Sequence, residues 1–246
     1  MDILKSLIAW FTGIFFLIVF FPFVFIIWVL VLPFDRNRRV IHWMILMQSR
    51  LLVFLIPFWK LDLRGREKLP DSGTCVIISN HQSLIDILML NCLCYRFKWI
   101  SKIENTHVPV LGWYLRMAGY ITVDRNDDES KAEMLARSYR CLKDGTSIMI
   151  FPEGTRSTDN EPGYFKRGAF QLAIETGVPI IPVVLDGTGN ILPKHGLLLK
   201  GYHKVKIRVL EPVSPGDFGT KDPEELAEIF RRKFVAAIKE MREGKL

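Results

Sequence analysis

From Ser6 to Phe34 the chain carries no charged residue, and Leu7 to Leu32 is apolar apart from Thr12, Gly13 and Pro22. A helix needs about 20 apolar residues to cross a bilayer, so this run is long enough. That length argues against a buried core hairpin. A cleaved leader also fits poorly, because the apolar region far exceeds about 15 residues and no small-x-small site follows it. The segment is expected to be retained and to meet lipid. A second greasy stretch, Trp43 to Trp59, is interrupted by Gln48, Ser49 and Arg50, and Arg36, Arg38 and Arg39 lie between the two. Two arrangements follow: a full span, or a helical pair immersed in one leaflet with Pro22 bending the first helix. In either, the three arginines sit near anionic headgroups, Trp28, Trp43 and Trp59 suit the headgroup level, and the charge bias places the following domain in the cytoplasm.

The remaining composition limits the partners. A length of 246 residues allows one well-buried domain plus an appendage. The net charge of +7 comes from 33 Lys and Arg against 26 Asp and Glu. Such a balance suits nucleic acid, an anionic membrane or a phosphorylated substrate. Dispersed charge and the lack of a recognition motif argue against nucleic acid. Cys75, Cys92, Cys94 and Cys141 form no Cys-x-x-Cys pair, so a zinc site or disulfide framework is not expected, and reduced thiols are. No metal is called for.

From Lys60 onward short β-rich runs alternate with helical patterns. Thr74–Ser79, Ser147–Phe151, Pro179–Leu185 and Val205–Val209 read as strands, with Trp99–Ser101 and Tyr120–Val123 as shorter ones. Leu135, Tyr139 and Leu142 fall on one face of a helix starting near Asp128. Leu226, Ile229, Phe230, Phe234, Ala237, Ile238 and Met241 trace a stripe to the C-terminus. The alternation predicts an α/β layered domain with a mixed, mostly parallel sheet over residues 60–246, behind N-terminal membrane-associated helices over 1–59.

Asn80-His81-Gln82-Ser83-Leu84-Ile85-Asp86 follows the first of these strands. On one continuous helix His81 and Asp86 would point about 140° apart. They meet only if His81 lies in the turn and Asp86 in the first helical turn. Ser83, three residues before Asp86, supports a capping-box-like start there. Asp86 as a helix cap beside an ordinary loop histidine explains the spacing equally well. The chemical alternative is a base oriented by a carboxylate, with one imidazole nitrogen left to take a hydroxyl proton. No Gly-x-Ser-x-Gly elbow supports an acyl-serine route, and nothing marks Cys75 as an activated thiol.

Phe151-Pro152-Glu153-Gly154-Thr155-Arg156-Ser157 follows a second strand. Gly154 permits a tight turn bringing backbone N–H groups towards a ligand, and Arg156 can grip a phosphate with two parallel hydrogen bonds. Lys102 and Arg125 end two more strands and complete a possible cationic cradle, to which Lys166 and Arg167 are weaker additions. Polar loops after apolar strands are where α/β sheets bind ligands.

Four blocks in this order, Asn80 to Asp86, Gly119 to Arg125, Phe151 to Ser157 and Val178 to Val183, resemble the glycerolipid acyltransferase family of the 1-acylglycerol-3-phosphate acyltransferase (PlsC) type, over about Lys60 to Val213. The resemblance implies acyl transfer from acyl-CoA or acyl-carrier protein, a co-substrate rather than a cofactor, to lysophosphatidic acid, giving phosphatidic acid. It implies His81 as general base and Asp86 as its partner. It also implies Arg125, Glu153, Gly154, Thr155 and Arg156 as residues that bind or position the acceptor, with Lys102 assisting at its phosphate. Tyr120-Ile121-Thr122-Val123 departs from the aromatic that many relatives place before the aspartate or valine, which bears on acceptor choice. Glycerol 3-phosphate or another lysophospholipid is an alternative acceptor. A basic membrane adaptor that binds anionic lipids and performs no chemistry is the alternative of another class.

Overall fold

The computed structural model describes residues 2–200 and 203–246. Its centre is a seven-stranded sheet built from β1 (Trp59–Arg64), β2 (Val76–Ser79), β3 (Phe97–Lys102), β4 (Ile121–Val123), β5 (Ser147–Ile150), β6 (Ile180–Asp186) and β7 (His203–Val209), ordered β1-β7-β6-β2-β5-β3-β4. All neighbouring pairs are parallel except β6 with β7. The sheet is therefore mixed and mostly parallel, as the alternation predicts.

Strands buried on both faces need apolar residues at every position. In β2, Ile77 faces one core and Val76 and Ile78 the other, and Met149 against Ile148 and Ile150 repeats this in β5. The first face is covered by α1 (Asp2–Val31), α2 (Arg39–Leu55), α3 (Ile85–Asn91) and α4 (Leu111–Met117). The second is covered by α5 (Asp128–Lys143), α6 (Gly168–Thr176) and α8 (Pro223–Arg242), while the short α7 (Thr188–Ile191) follows β6. Caps fix the long helices. Asp127 accepts from the N–H groups of Glu129 and Ser130, Asp222 from that of Glu224, and Asp35 from those of Arg39 and Val40.

Some sequence expectations need correction. Trp59–Arg64 alternates apolar and polar residues, the mark of a half-exposed strand, yet it is masked in sequence by the greasy stretch before it. Trp59 is buried in the core instead of standing at headgroup level, and Trp43 is exposed. Arg38 turns inward: its guanidinium lies 5.9 Å from the Trp28 ring centre and its side chain packs on Gly119, whereas Arg36 and Arg39 are exposed. In α5 the inner face carries Leu142 and Ser138, and Tyr139 stands exposed beneath the Lys143 ammonium. In α8 Ile229 is exposed and Ala227 takes an inner position.

Candidate active site

Central β2 ends between β6 and β5, so the loops following these three strands share one edge of the sheet. Asn80 opens the first loop by imitating one more pair of the ladder. Its side-chain N–H donates to Leu185 O at 2.8 Å, and its carbonyl accepts from Leu185 N at 2.9 Å. The backbone at His81 is thereby locked to β6. Its N–H donates to Glu153 Oε1 at 2.8 Å, and its carbonyl accepts from Ser157 N at 2.8 Å.

The imidazole is fixed from two directions. Its Nδ1 lies 2.7 Å from Asp86 Oδ2, and its ring stacks on Phe151 with centroids 3.9 Å apart and planes 9° from parallel. Trp99 in turn stacks on Phe151, with ring centroids 5.3 Å apart. Asp86 is fully buried, and the His81 side chain keeps 11% of its surface exposed. The Gln82 and Ser83 N–H groups donate to Asp86 Oδ2 at 2.7 and 2.9 Å, and Thr188 Oγ1 donates to Oδ1. A carboxylate receiving so many donors acts as acceptor, so His81 Nδ1 carries the proton. Nε2, which no described residue bonds, is then the free lone pair.

Asp86, in the first turn of α3, therefore ties down the N–H groups of the preceding turn and holds the His81 ring with the same oxygen. Ser83 does not form the reciprocal box. Its hydroxyl donates to Leu192 O at 2.8 Å and accepts from Ile85 N at 3.3 Å.

Glu153 is a buried strut. One oxygen takes the His81 N–H and the other takes Gly163 N–H at 3.0 Å, so both face backbone. Burial pushes its carboxyl up to about 7 against the opposing pull of these two hydrogen bonds, with the charges of Asp86 and Asp159 pushing further up. Gly154 adopts φ +68°, and a Cβ there would meet Lys166 Nζ at 3.2 Å. This left-handed position favours glycine. Thr155 is exposed and Arg156 half-buried, and neither meets a described polar partner.

Lys102 and Arg125 lie on the β3–β4 side. Lys102 pairs with Glu104 at 2.5 Å, and burial lowers the Arg125 guanidinium while the Glu104 charge opposes that shift. Strand spacing puts them roughly 10–15 Å from the end of β2. Arg167 points elsewhere, pairing with Glu224 of α8 at 3.3 Å. The cations predicted as one cradle thus divide into Arg156 near His81 and a Lys102–Arg125 group two to three strands away.

Sequence reasoning missed the contacts of Asn80, Gln82, Phe151 and Thr188. Gln82 Oε1 accepts from Gly187 N at 3.1 Å, and its amide donates to Asn160 O at 2.9 Å. Thr188 is about a hundred residues downstream, and its one cue is the polar Asp186-Gly187-Thr188 end of an apolar strand, of the same kind as the other two loops. A cleft of about 370 Å³ opens beside Gln82, lined by Ser157, Asn160, Asn190, Lys194 and Lys200. Cysteine chemistry finds no support: all four thiols are free, and burial pushes Cys75 up to about 11.

The family model described as Acyltransferase matches residues 60–186. A chloroplastic 1-acyl-sn-glycerol-3-phosphate acyltransferase of Brassica napus is 41% identical over 184 residues, 74% of this chain and 53% of that protein. Its counterpart in Arabidopsis thaliana is 40% identical over 184 residues, 74% of this chain and 51% of that protein. The chain thus spans about half the length of these curated relatives. The crystal structure of the 1-acyl-sn-glycerophosphate acyltransferase PlsC from Thermotoga maritima superposes with a TM-score of 0.81 at 27% identity, covering 97% of this chain and 96% of that one. With a family model matching over half its length and that shared architecture, the chain belongs to the acyltransferase family.

Proposed function

We propose that the protein transfers a fatty acyl group from an acyl thioester, acyl-CoA or acyl-carrier protein, to the sn-2 hydroxyl of 1-acylglycerol 3-phosphate, forming phosphatidic acid. The observation that carries this is the His81 imidazole, held at Nδ1 by buried Asp86 with Nε2 free at the end of β2. His81 Nε2 takes the hydroxyl proton as the oxygen attacks the thioester carbonyl carbon. The tetrahedral centre then expels the thiolate, which receives that proton from His81. Asp86 stabilises the imidazolium formed between these steps. Arg156 is the phosphate-gripping cation of this reading, and Lys102 and Arg125 attract the anionic acceptor from the sheet edge. The names of the relatives support lysophosphatidic acid as acceptor.

For α1 we favour immersion in one leaflet. Trp10 donates to Leu197 O, Gln48 donates to Phe16 O, and Phe21 packs against Trp113 and Tyr114. The domain therefore flanks α1 from Ser6 to Phe21, roughly 22 Å of helix. A transverse span would drag that flank through hydrocarbon. The outer stripe, including Leu7, Phe11, Ile14 and Ile18, is exposed and suits acyl chains. Arg36 and Arg39 favour the cytoplasmic leaflet.

The test crosses both donors with lysophosphatidic acid, glycerol 3-phosphate and other lysophospholipids, using purified protein in vesicles. Phosphatidic acid as the main product supports the assignment. Preferential acylation of another acceptor moves it to that substrate, and lipid binding without transfer to any acceptor overturns it.

A further inference from the structure

Two leucines stand in the open on the segment joining α7 to β7. Leu197 is 76% exposed and Leu198 is 55% exposed, whereas Leu199 is buried. The segment is closed on itself: Lys200 N donates to Ile191 O at 2.9 Å, and Gly196 N donates to Pro193 O at 3.1 Å. It is also fastened to the first turns of α1. Leu199 N donates to Ser6 Oγ at 2.8 Å, and Trp10 Nε1 donates to Leu197 O at 2.8 Å. Leu197 and Leu198 thus continue the exposed apolar stripe that begins with Leu4, Leu7 and Phe11. Lys194 and Lys200 flank them and meet no described carboxylate. Both lysines also line the cleft beside Gln82.

We propose that the Pro193–Lys200 loop is a second membrane-contacting element. Leu197 and Leu198 insert among acyl chains beside α1, and Lys194 and Lys200 rest on anionic phosphate headgroups. Leucines presented by a closed turn, continuous with a lipid-facing helix and bordered by cations, match the chemistry of an anionic bilayer surface. Leu199 and the Ser6 and Trp10 bonds hold the turn at a fixed height against α1. Insertion would set the mouth of the cleft beside Gln82 at the interface, where a bilayer-borne acceptor enters without leaving lipid. The inference rests on α1 lying against the membrane, and its test separates the two.

A polarity-sensitive fluorophore is attached at Leu198→Cys in full-length protein carrying Cys141→Ser, since Cys75, Cys92 and Cys94 are buried. Matching labels at Phe15→Cys, on the exposed stripe of α1, and at Glu133→Cys, exposed on α5, serve as references. Vesicles are phosphatidylcholine alone, or equimolar phosphatidylcholine and phosphatidylglycerol. On vesicle addition the Leu198 label shifts to the blue, is quenched by lipid-borne nitroxide and is shielded from iodide, as at Phe15 and unlike Glu133. An iodide-accessible Leu198 label beside a shielded Phe15 label overturns the loop proposal and leaves the α1 reading intact. Accessibility at both positions overturns both. In a second arm, Leu197→Glu with Leu198→Glu lowers partitioning into both vesicle types by at least about tenfold. Lys194→Gln with Lys200→Gln weakens binding to the anionic vesicles alone. Unchanged partitioning in either double variant contradicts the corresponding half of the proposal.

Discussion

Asp86→Asn isolates the charge of the carboxylate from its geometry, because the structure dictates how the amide must sit. Two backbone donors, Gln82 N and Ser83 N, converge on Oδ2 together with His81 Nδ1. Only an oxygen can occupy that corner, since an NH₂ there would confront all three donors. The amide nitrogen is therefore directed at Thr188 Oγ1, whose hydroxyl can rotate to accept from it and donate to Gln82 Oε1 at 3.4 Å. The His81 tautomer is retained and each partner remains satisfied. What disappears is the negative charge facing the imidazolium during transfer. At about 4 Å between charge centres and an effective dielectric constant near 20, that attraction is about 4 kcal/mol. The surviving neutral hydrogen bond offsets part of it, so kcat falls about 10²- to 10³-fold. The acceptor KM stays within about threefold of wild type, because Asp86 lies beneath the imidazole instead of facing substrate. Steady-state acyl transfer, with thermal unfolding as control for folding, reads all of this. A folded Asp86→Asn enzyme with kcat near wild type would refute the electrostatic role, and a collapsed unfolding temperature would refute the predicted amide orientation.

Other outcomes follow from the same geometry. The folded pKa of Glu153, about 7, lies above its unfolded value near 4.5, so the folded state keeps a proton the unfolded chain has lost in that window. Its contribution is thus lost as pH rises through about 7, by roughly 3 kcal/mol in all. The stability difference between wild type and Glu153→Gln, followed by denaturant unfolding from pH 4.5 to 8, should shift in favour of the variant as pH rises; a pH-independent difference contradicts the buried-carboxyl account. Thr188→Val keeps shape but leaves Asp86 Oδ1 without its donor, lowering stability by about 1–3 kcal/mol. Unfolding within about 0.5 kcal/mol of wild type would remove Thr188 from the network. Arg156→Ala should raise the acceptor KM at least about tenfold with a smaller change in kcat, since one charge-assisted phosphate contact is worth about 1.5–3 kcal/mol. An unchanged acceptor KM counts against the phosphate role.

The layered architecture was legible because its signals are local. Val76 to Ser79 and Ser147 to Ile150 are short apolar runs, and each is followed by a polar loop. The His81–Asp86 pair was legible as a choice between cap and catalyst, and in the fold one carboxylate oxygen binds both the His81 ring and the N–H groups of the turn before α3. Long-range pairing is what sequence did not carry. Thr188 reaches Asp86 only because β6 lies beside β2, and Glu153 reaches the His81 N–H only because β5 lies on its other side. The resemblance named Glu153 as a residue that binds or positions the acceptor, and what sequence did not carry is that its two oxygens accept from the His81 and Gly163 N–H groups. Phe151 hid for the opposite reason: a terminal strand aromatic reads as core, and only the folded ring stack shows it beneath the imidazole. The cationic residues follow strand ends as expected, but strand order separates Lys102 and Arg125 from Arg156.

The most direct test of the central claim compares wild type with His81→Ala in vesicles supplied with lysophosphatidic acid and an acyl thioester. Removing the imidazole leaves Asp86 Oδ2 bonded to Gln82 N and Ser83 N, so the variant should remain folded. Wild-type protein is predicted to form phosphatidic acid and release free thiol in equal amounts, while folded His81→Ala forms at least about a thousandfold less. A folded His81→Ala protein that makes phosphatidic acid at the wild-type rate would contradict the account.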